Sequence, residues 1–268
     1  DHEGAAAILN LCGRALIFGD KSTTQQYAHN PAIQIHGPGW SKFVIGEDQI
    51  ENWPEFIDVI AASIADNGGR SCINASAVVV PKYAEEIADA LAKKLGPIAH
   101  TPSDDPEARL SGFANPKMAD YIDGQIEDGL KTPGAEDVTA RYRGGSRKVS
   151  SDIGTFMRPT IVRCDSFAHP LANRELLCPY ASVVQCSQSE VLKNIGYTLA
   201  CSAITKDPAF IRDLEAFTEI GAGIDLGDEI VIVARGRVAA HGTPEAIREA
   251  SGKATLEDAF VSLTGEGA

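Results

Sequence analysis

Four consecutive small and β-branched residues, Ala77-Val78-Val79-Val80, end at Pro81 and run into an amphipathic stretch from Tyr83 to Leu95. This pair constrains the fold more than any other feature. An apolar strand without polar alternation needs cover on both faces, and a helix that follows at once supplies one cover. The pattern recurs along the chain. Phe43-Val44-Ile45 is a short strand candidate. Trp53 to Asp66 carries Phe56, Ile57, Val59, Ile60 and Ile64 at helical spacing, and Gly68-Gly69 stops it. Thr160 to Arg163 and Ala181 to Gln185 read as strands, Ser189 to Gly196 as a short helix, Ala200 to Ile204 as a strand, and Asp207 to Phe217 as a helix. Ala5 to Leu11 is helix-like and Arg14 to Phe18 strand-like. Strands alternating with helices predict an α/β fold with a mostly parallel sheet.

Two regions break the rhythm. Thr101 to Gly145 is polar and rich in Pro, Gly and Asp, and reads as loop with a helix near Ala108 to Asp123. After Gly227 the texture changes. Glu229 to Ala240 reads as a hairpin around Arg235-Gly-Arg. Thr243 caps a helix to Ala250 with Pro244 at its first position, and Thr255 starts a last helix.

The bulk numbers narrow the function. With 268 residues the chain holds one large domain or two modest ones. A net charge of −13 argues against a nucleic-acid partner and against an anionic membrane surface. No apolar run approaches the roughly 18 residues of a membrane span. Asp1-His2-Glu3-Gly4 has no Met, basic n-region or apolar h-region, so neither a signal peptide nor a natural start is read there. The six cysteines, Cys12, Cys72, Cys164, Cys178, Cys186 and Cys201, lack paired spacing, which predicts reduced thiols and a cytoplasmic location. No Cys-x-x-Cys or His-x-x-x-His pair points to a metal.

Three residues carry chemistry on local grounds. Cys72 sits in Asn67-Gly-Gly-Arg-Ser-Cys, in a turn between helix and strand, where backbone N–H groups can stabilise a thiolate and glycines admit a ligand. The competing reading is a packed thiol, and local pattern alone favours it. Glu175 stands in a polar turn that opens into a strand, where a carboxylate can grip ribose hydroxyls; a solvated glutamate is the alternative. His36, after a short apolar run, is a candidate base against the commoner structural histidine. Phe18-Gly-Asp-Lys-Ser-Thr lacks the full phosphate-loop pattern, since Asp20 precedes Lys21, and Gly221-Ala-Gly reads as a turn.

In order and separation these pieces resemble the aldehyde dehydrogenase superfamily over residues 4 to 226. Asn67-Gly-Gly-Arg-Ser-Cys72 is similar to the family's Gly-Gln-x-Cys nucleophile segment. Glu175-Leu-Leu-Cys-Pro179, 103 residues beyond Cys72, is similar to Glu-x-Phe-Gly-Pro, with Pro159-Thr160 before it as in the family. Tyr197 to Asp207 resembles Tyr-Gly-Leu-x-x-x-x-x-Thr-x-Asp, and Ile17-Phe18-Gly19-Asp20 resembles the Phe-Thr-Gly-Ser loop under a nicotinamide dinucleotide.

The resemblance implies attack by the Cys72 thiolate on an aldehyde, hydride loss to NAD or NADP, and release of an acid from a thioester. It implies Glu175 on the nicotinamide ribose, Leu177 beside the nicotinamide, Gly19 and Asp20 at the dinucleotide loop, and the Cys72 backbone N–H in an oxyanion site. The family's general-base glutamate lies in Glu-Leu-Gly-Gly-Lys. Here the segment reads Gln34-Ile-His36-Gly-Pro-Gly-Trp-Ser, which leaves His36 as the candidate base. The first half of the family's dinucleotide domain has no counterpart, nor does its closing bridging strand.

Asp228 to Glu245 and Thr255 to Gly265 resemble the C-terminal end of an ABC transporter ATPase, with a join near Asp225 to Asp228 read as a fusion or a broken frame. The expected organisation is a remnant of a dinucleotide-binding domain over 1–40, a catalytic domain over 41–226, and the tail over 227–268. The leading expectation is NAD(P)-dependent oxidation of a small aldehyde by an incomplete chain, partnered by itself or by the missing N-terminal half. The alternative is a folded truncated or chimeric protein without turnover. A transporter ATPase rests on the tail alone.

Overall fold

The computed structural model describes residues 2–19, 24–27, 29–102, 104–217, 220–225, 230–234, 237–242, 244–253 and 262. The chain divides into two compact units, Asp1–Gly39 and Trp40–Ala268.

In the first unit a helix, His2–Leu11, precedes strand β1 (Ala15–Phe18), and a 3-10 segment, Gln25–Tyr27, lies between it and β2 (Ile33–His36). The strands run parallel, with Ala15 opposite Ile33 and Phe18 opposite His36. Two parallel strands bury little. Leu11, Phe18, Ile8 and Leu16 are all exposed, while Ile33 is buried.

The second unit is built on a nine-stranded sheet. Its strands are β3 (Lys42–Ile45), β4 (Ala77–Val80), β5 (Ala135–Asp137), β8 (Thr160–Cys164), β9 (Tyr180–Gln185), β10 (Thr198–Ile204), β11 (Ile220–Asp225), β12 (Ile230–Ala234) and β13 (Arg237–Gly242). A separate hairpin joins β6 (Lys148–Ser151) to β7 (Gly154–Met157). The order across the sheet is β13-β12-β11-β10-β3-β4-β9-β8-β5. Neighbours from β11 to β8 are parallel, and β12, β13 and β5 add antiparallel edges. The α/β fold with a mostly parallel sheet is therefore as the sequence predicts. The hairpin read over Glu229 to Ala240 is also present, as β12 and β13.

Alternation along each strand sends neighbouring side chains to opposite layers. Phe43, Val78, Val80, Ile161, Ala181 and Val183 pack with helices Ile57–Ala65 and Ala84–Leu95. Val44 and Val79 pack with Val191, Ile195 and Phe210. Val162, Cys164 and Val184 pack with helix Pro116–Leu130 through Ala119, Ile122 and Ile126. Cover on both faces is why the central strands are uninterrupted apolar runs.

Two expected boundaries move. The helix read from Trp53 starts at Ile57, because Pro54 lies in a preceding 3-10 segment, Ile50–Phe56, and has no N–H for a regular helix. The helix read at Ala108 to Asp123 is instead Pro116–Leu130. Asn115 accepts from Lys117 N as its cap, and Pro116 takes the first position, where the missing N–H costs nothing. The helix expected from Thr255 lies outside the described residues.

Candidate active site

The backbone between helix Ile57–Ala65 and β4 turns sharply before Cys72. Asn67, Gly68 and Gly69 have φ of +53°, +66° and +65°, three successive left-handed residues. Such a run suits Gly and Asn and few other residues. Asn74 then braces the turn. Its Oδ1 accepts from Ser71 N at 2.8 Å, and its Nδ2 donates to the Ser63 carbonyl at 2.9 Å and the Asp66 carbonyl at 3.1 Å. Arg70 anchors the outside of the loop. Its Nη2 donates to the Ser111 carbonyl at 2.8 Å, and its guanidinium lies 4.2 Å over the Phe113 ring. Cys72 itself is half-buried.

The other thiols divide by environment. Cys164, Cys178 and Cys201 are buried, and burial pushes each thiol up to about 12. Burial also raises Cys186. Cys12 is exposed in the first unit.

The Glu175 segment meets the Cys72 segment through backbone. A Cβ on Gly69 would stand 2.4 Å from Pro179 N and 2.6 Å from the Cys178 carbonyl carbon, so the two loops touch where only a glycine fits. Ser41, just before β3, ties in the other side. Its Oγ donates to the Cys72 carbonyl at 2.7 Å and accepts from Ala200 N at 3.2 Å. Its carbonyl accepts from both Ser76 N and Ser76 Oγ. These stitches lie at the amino ends of β3, β4, β9 and β10. Open parallel sheets more often place ligands at the carboxyl ends.

Glu175 is half-buried. One of its carboxylate oxygens accepts from Trp40 N. Trp40 is left-handed, with φ +45°, and its ring meets Tyr197 edge-on at 6.0 Å. Lys42 donates from Nζ to the Trp40 carbonyl and is only 1% exposed. Burial pushes its amine down to about 8, against the opposing pull of Cys201 and Glu175. Leu177 (47% exposed) and Ile73 (60% exposed) stand open beside Glu175 and Cys72 in sequence, an apolar rim to a polar centre.

The second unit therefore brings the Cys72 loop and the Glu175–Pro179 loop together. Gly19 and His36 belong to the first unit. There Gly19 N donates to the His36 carbonyl at 3.1 Å, extending the β1–β2 pairing, and the His36 ring stacks on Phe18 at 4.7 Å. His36 Nε2 is buried without a hydrogen-bond partner. Asp20 lies outside the described residues. Sequence reading missed Trp40, Ser41 and Lys42. No local signal marks them: a lysine three residues after Gly39, at the head of an apolar strand, ordinarily reads as the exposed end of that strand.

A carboxylate held on a backbone N–H can accept hydrogen bonds from paired hydroxyls. Among the described residues no group of three His, Cys, Asp or Glu side chains could hold a metal ion. No described helix is long and apolar enough to cross a membrane.

The model of the aldehyde dehydrogenase family matches residues 19–223. Solved structures similar to this chain include the NAD+ complex of aldehyde dehydrogenase from Bacillus cereus, at 19% identity and a TM-score of 0.69 over 96% of this chain and 52% of that one. An indole-3-acetaldehyde dehydrogenase in complex with NAD+ is 19% identical, with a TM-score of 0.66 over 80% of this chain and 44% of that one. The aldehyde dehydrogenase KauB from Pseudomonas aeruginosa is 18% identical, with a TM-score of 0.65 over 79% and 44%. The chain thus spans about half the length of the structures it matches. No curated protein matches it. The family model covers well over half of the sequence, and the chain belongs to the aldehyde dehydrogenase family.

Proposed function

We propose that the chain carries the catalytic half of an NAD(P)-dependent aldehyde dehydrogenase, with Cys72 as nucleophile. The observation that carries this reading is the contact of Gly69 with Cys178-Pro179, which fixes the thiol loop against the Glu175 loop. The Cys72 thiolate adds to the aldehyde carbon, forming a C–S bond and an oxyanion to which the Cys72 backbone N–H donates. Bound NAD or NADP supplies a hydride acceptor for oxidation to the acid level. The residues that would hold that cofactor are Glu175, at the nicotinamide ribose, and Leu177, toward the nicotinamide. Water then cleaves the Cys72 thioester and frees the thiol. His36 holds the sequence position of the family's base, and Gly19 and Asp20 that of its dinucleotide loop.

A second reading, a folded chain without turnover, is favoured by the lack of a carboxylate at the base position. The family match ends at residue 223, and the sequence beyond it resembles the end of a transporter ATPase. We read that tail as an appended piece without nucleotide chemistry, since the chain has no phosphate loop.

Timed iodoacetamide labelling with peptide mapping tests the nucleophile. At pH 7 the buried Cys164, Cys178 and Cys201 stay unlabelled, and exposed Cys12 is the reference. Cys72 is expected to label faster than Cys12. A rate equal to or below that of Cys12 would sink the assignment.

A further inference from the structure

Lys42 is a cation on a central strand of the sheet. It lies opposite Cys201 on β10 and Ala77 on β4, on the face where Val44, Val79 and Cys201 pack. A buried ammonium is costly, and an apolar residue of similar volume commonly serves a core better. What Lys42 does with its charge is specific. Its Nζ holds the carbonyl of Trp40, whose own N–H holds Glu175. Trp40 bridges the two in a left-handed conformation that is uncommon for a bulky residue.

We propose that Lys42 and Trp40 are positioning residues for Glu175: the Lys42 ammonium fixes the left-handed Trp40 turn, and that turn aims a backbone N–H at the carboxylate that receives the ribose. The inference rests on the reading of Glu175 as a ribose ligand. The titratable groups facing the Lys42 amine are Glu175 and the Cys201 thiol. Protonated, Lys42 attracts both the Trp40 carbonyl and Glu175. Neutral, it loses the attraction to Glu175, so Trp40 and Glu175 relax together as the amine titrates near pH 8.

The test is NMR of the labelled full chain, following the Trp40 amide and the Lys42 side-chain resonances from pH 6.5 to 9.5. The Trp40 amide is expected to shift with a midpoint of about 8 in the wild type and to lose that titration in Lys42→Met. Glu175→Gln is expected to move the Trp40 amide upfield and to lower the Lys42 midpoint, because Glu175 raises it. A merely structural effect of Lys42→Met would shift amides throughout the sheet. A Trp40 amide in Lys42→Met that matches the wild type overturns the proposal. Should that variant not fold, a flat wild-type Trp40 titration overturns it equally. Adding NAD separates the two readings. If NAD perturbs wild type and Glu175→Gln alike, the ribose role of Glu175 fails, while the Lys42–Trp40 coupling stands or falls on the amide titration.

Discussion

Gly69 lies against Pro179 with no room for a methyl group: a Cβ there would come within 2.4 Å of the Pro179 nitrogen. The obstacle is backbone, which cannot rotate away, and the φ of +65° adds strain for any L side chain. Gly69→Ala is therefore expected to cost at least about 2–4 kcal/mol and to slow Cys72 labelling. Gly68 makes the comparison. Its nearest obstacle is the Ser111 hydroxyl, at 2.5 Å, which can turn aside. Urea unfolding should rank Gly69→Ala well below Gly68→Ala. Equal losses would mean that the two loops are not locked by this contact.

Ser41 is 1% exposed and joins three chain segments through one hydroxyl. Ser41→Ala leaves the Cys72 carbonyl without this donor and Ala200 N without this acceptor. The expected loss is about 1–3 kcal/mol, the range for stranding buried polar groups. It is checked by the urea midpoint. A neutral effect would mean that solvent reaches this end of the sheet.

The central strands were legible because they are short apolar runs, and a run such as Ala77–Val80 leaves little choice; β11 was read as a turn at Gly221-Ala-Gly, and the short polar β5 was lost in a stretch read as loop. Cys72 and Glu175 were legible through the spacing of their motifs, although the chemistry of Cys72 is invisible in its own tripeptide. Trp40 and Lys42 were not legible. Lysine normally marks a surface, and no local signal announces one buried by pairing with a backbone carbonyl two residues away. The β6–β7 hairpin had no clear reading either, because its Lys148 to Met157 stretch is too mixed to show alternation. The helix at Pro116 was misplaced by eight residues at its start, since Ala108 to Ser111 can pass for helix until Asn115-Pro116 is read as cap and first position.

Away from the site, Asp137 is the acceptor that two buried guanidiniums share. Arg143 Nη2 reaches it at 2.6 Å and Arg147 Nη1 at 3.0 Å, and the three side chains are 4–9% exposed. Removing one partner of a buried pair strands the other charge. Asp137→Ala is expected to lose about 3–5 kcal/mol. Asp123 and Glu127 still serve Arg147, so the larger damage falls on Arg143. Calorimetry reads the loss as a lower Tm, and a Tm within a degree or two of wild type would refute it.

Lys42 carries a stability prediction of opposite sign to its proposed role. Its amine sits at about 8 in the fold and near 10.5 when unfolded. Between those values the unfolded chain binds more protons, so this group makes stability rise with pH. The penalty for holding it charged is full below about pH 8, on the order of 3 kcal/mol, and vanishes above about pH 10.5. Lys42→Met removes the penalty but strands the Trp40 carbonyl, which offsets about 1 kcal/mol. The variant is thus expected to be more stable than wild type at pH 7 by about 2 kcal/mol. The buried thiols complicate absolute curves. Cys164, Cys178 and Cys201 are raised to about 12, so their contribution is full below about pH 9 and lost as pH climbs toward 12. Cys201 faces Lys42 but stays protonated in the fold at both pH 7 and pH 10, so the difference between the two proteins at those pH values isolates Lys42. Paired urea curves at pH 7 and pH 10 should show the advantage of Lys42→Met shrinking toward zero or reversing. A difference that stays constant with pH would mean that Lys42 titrates as an ordinary surface amine, and the buried cation would have to be abandoned.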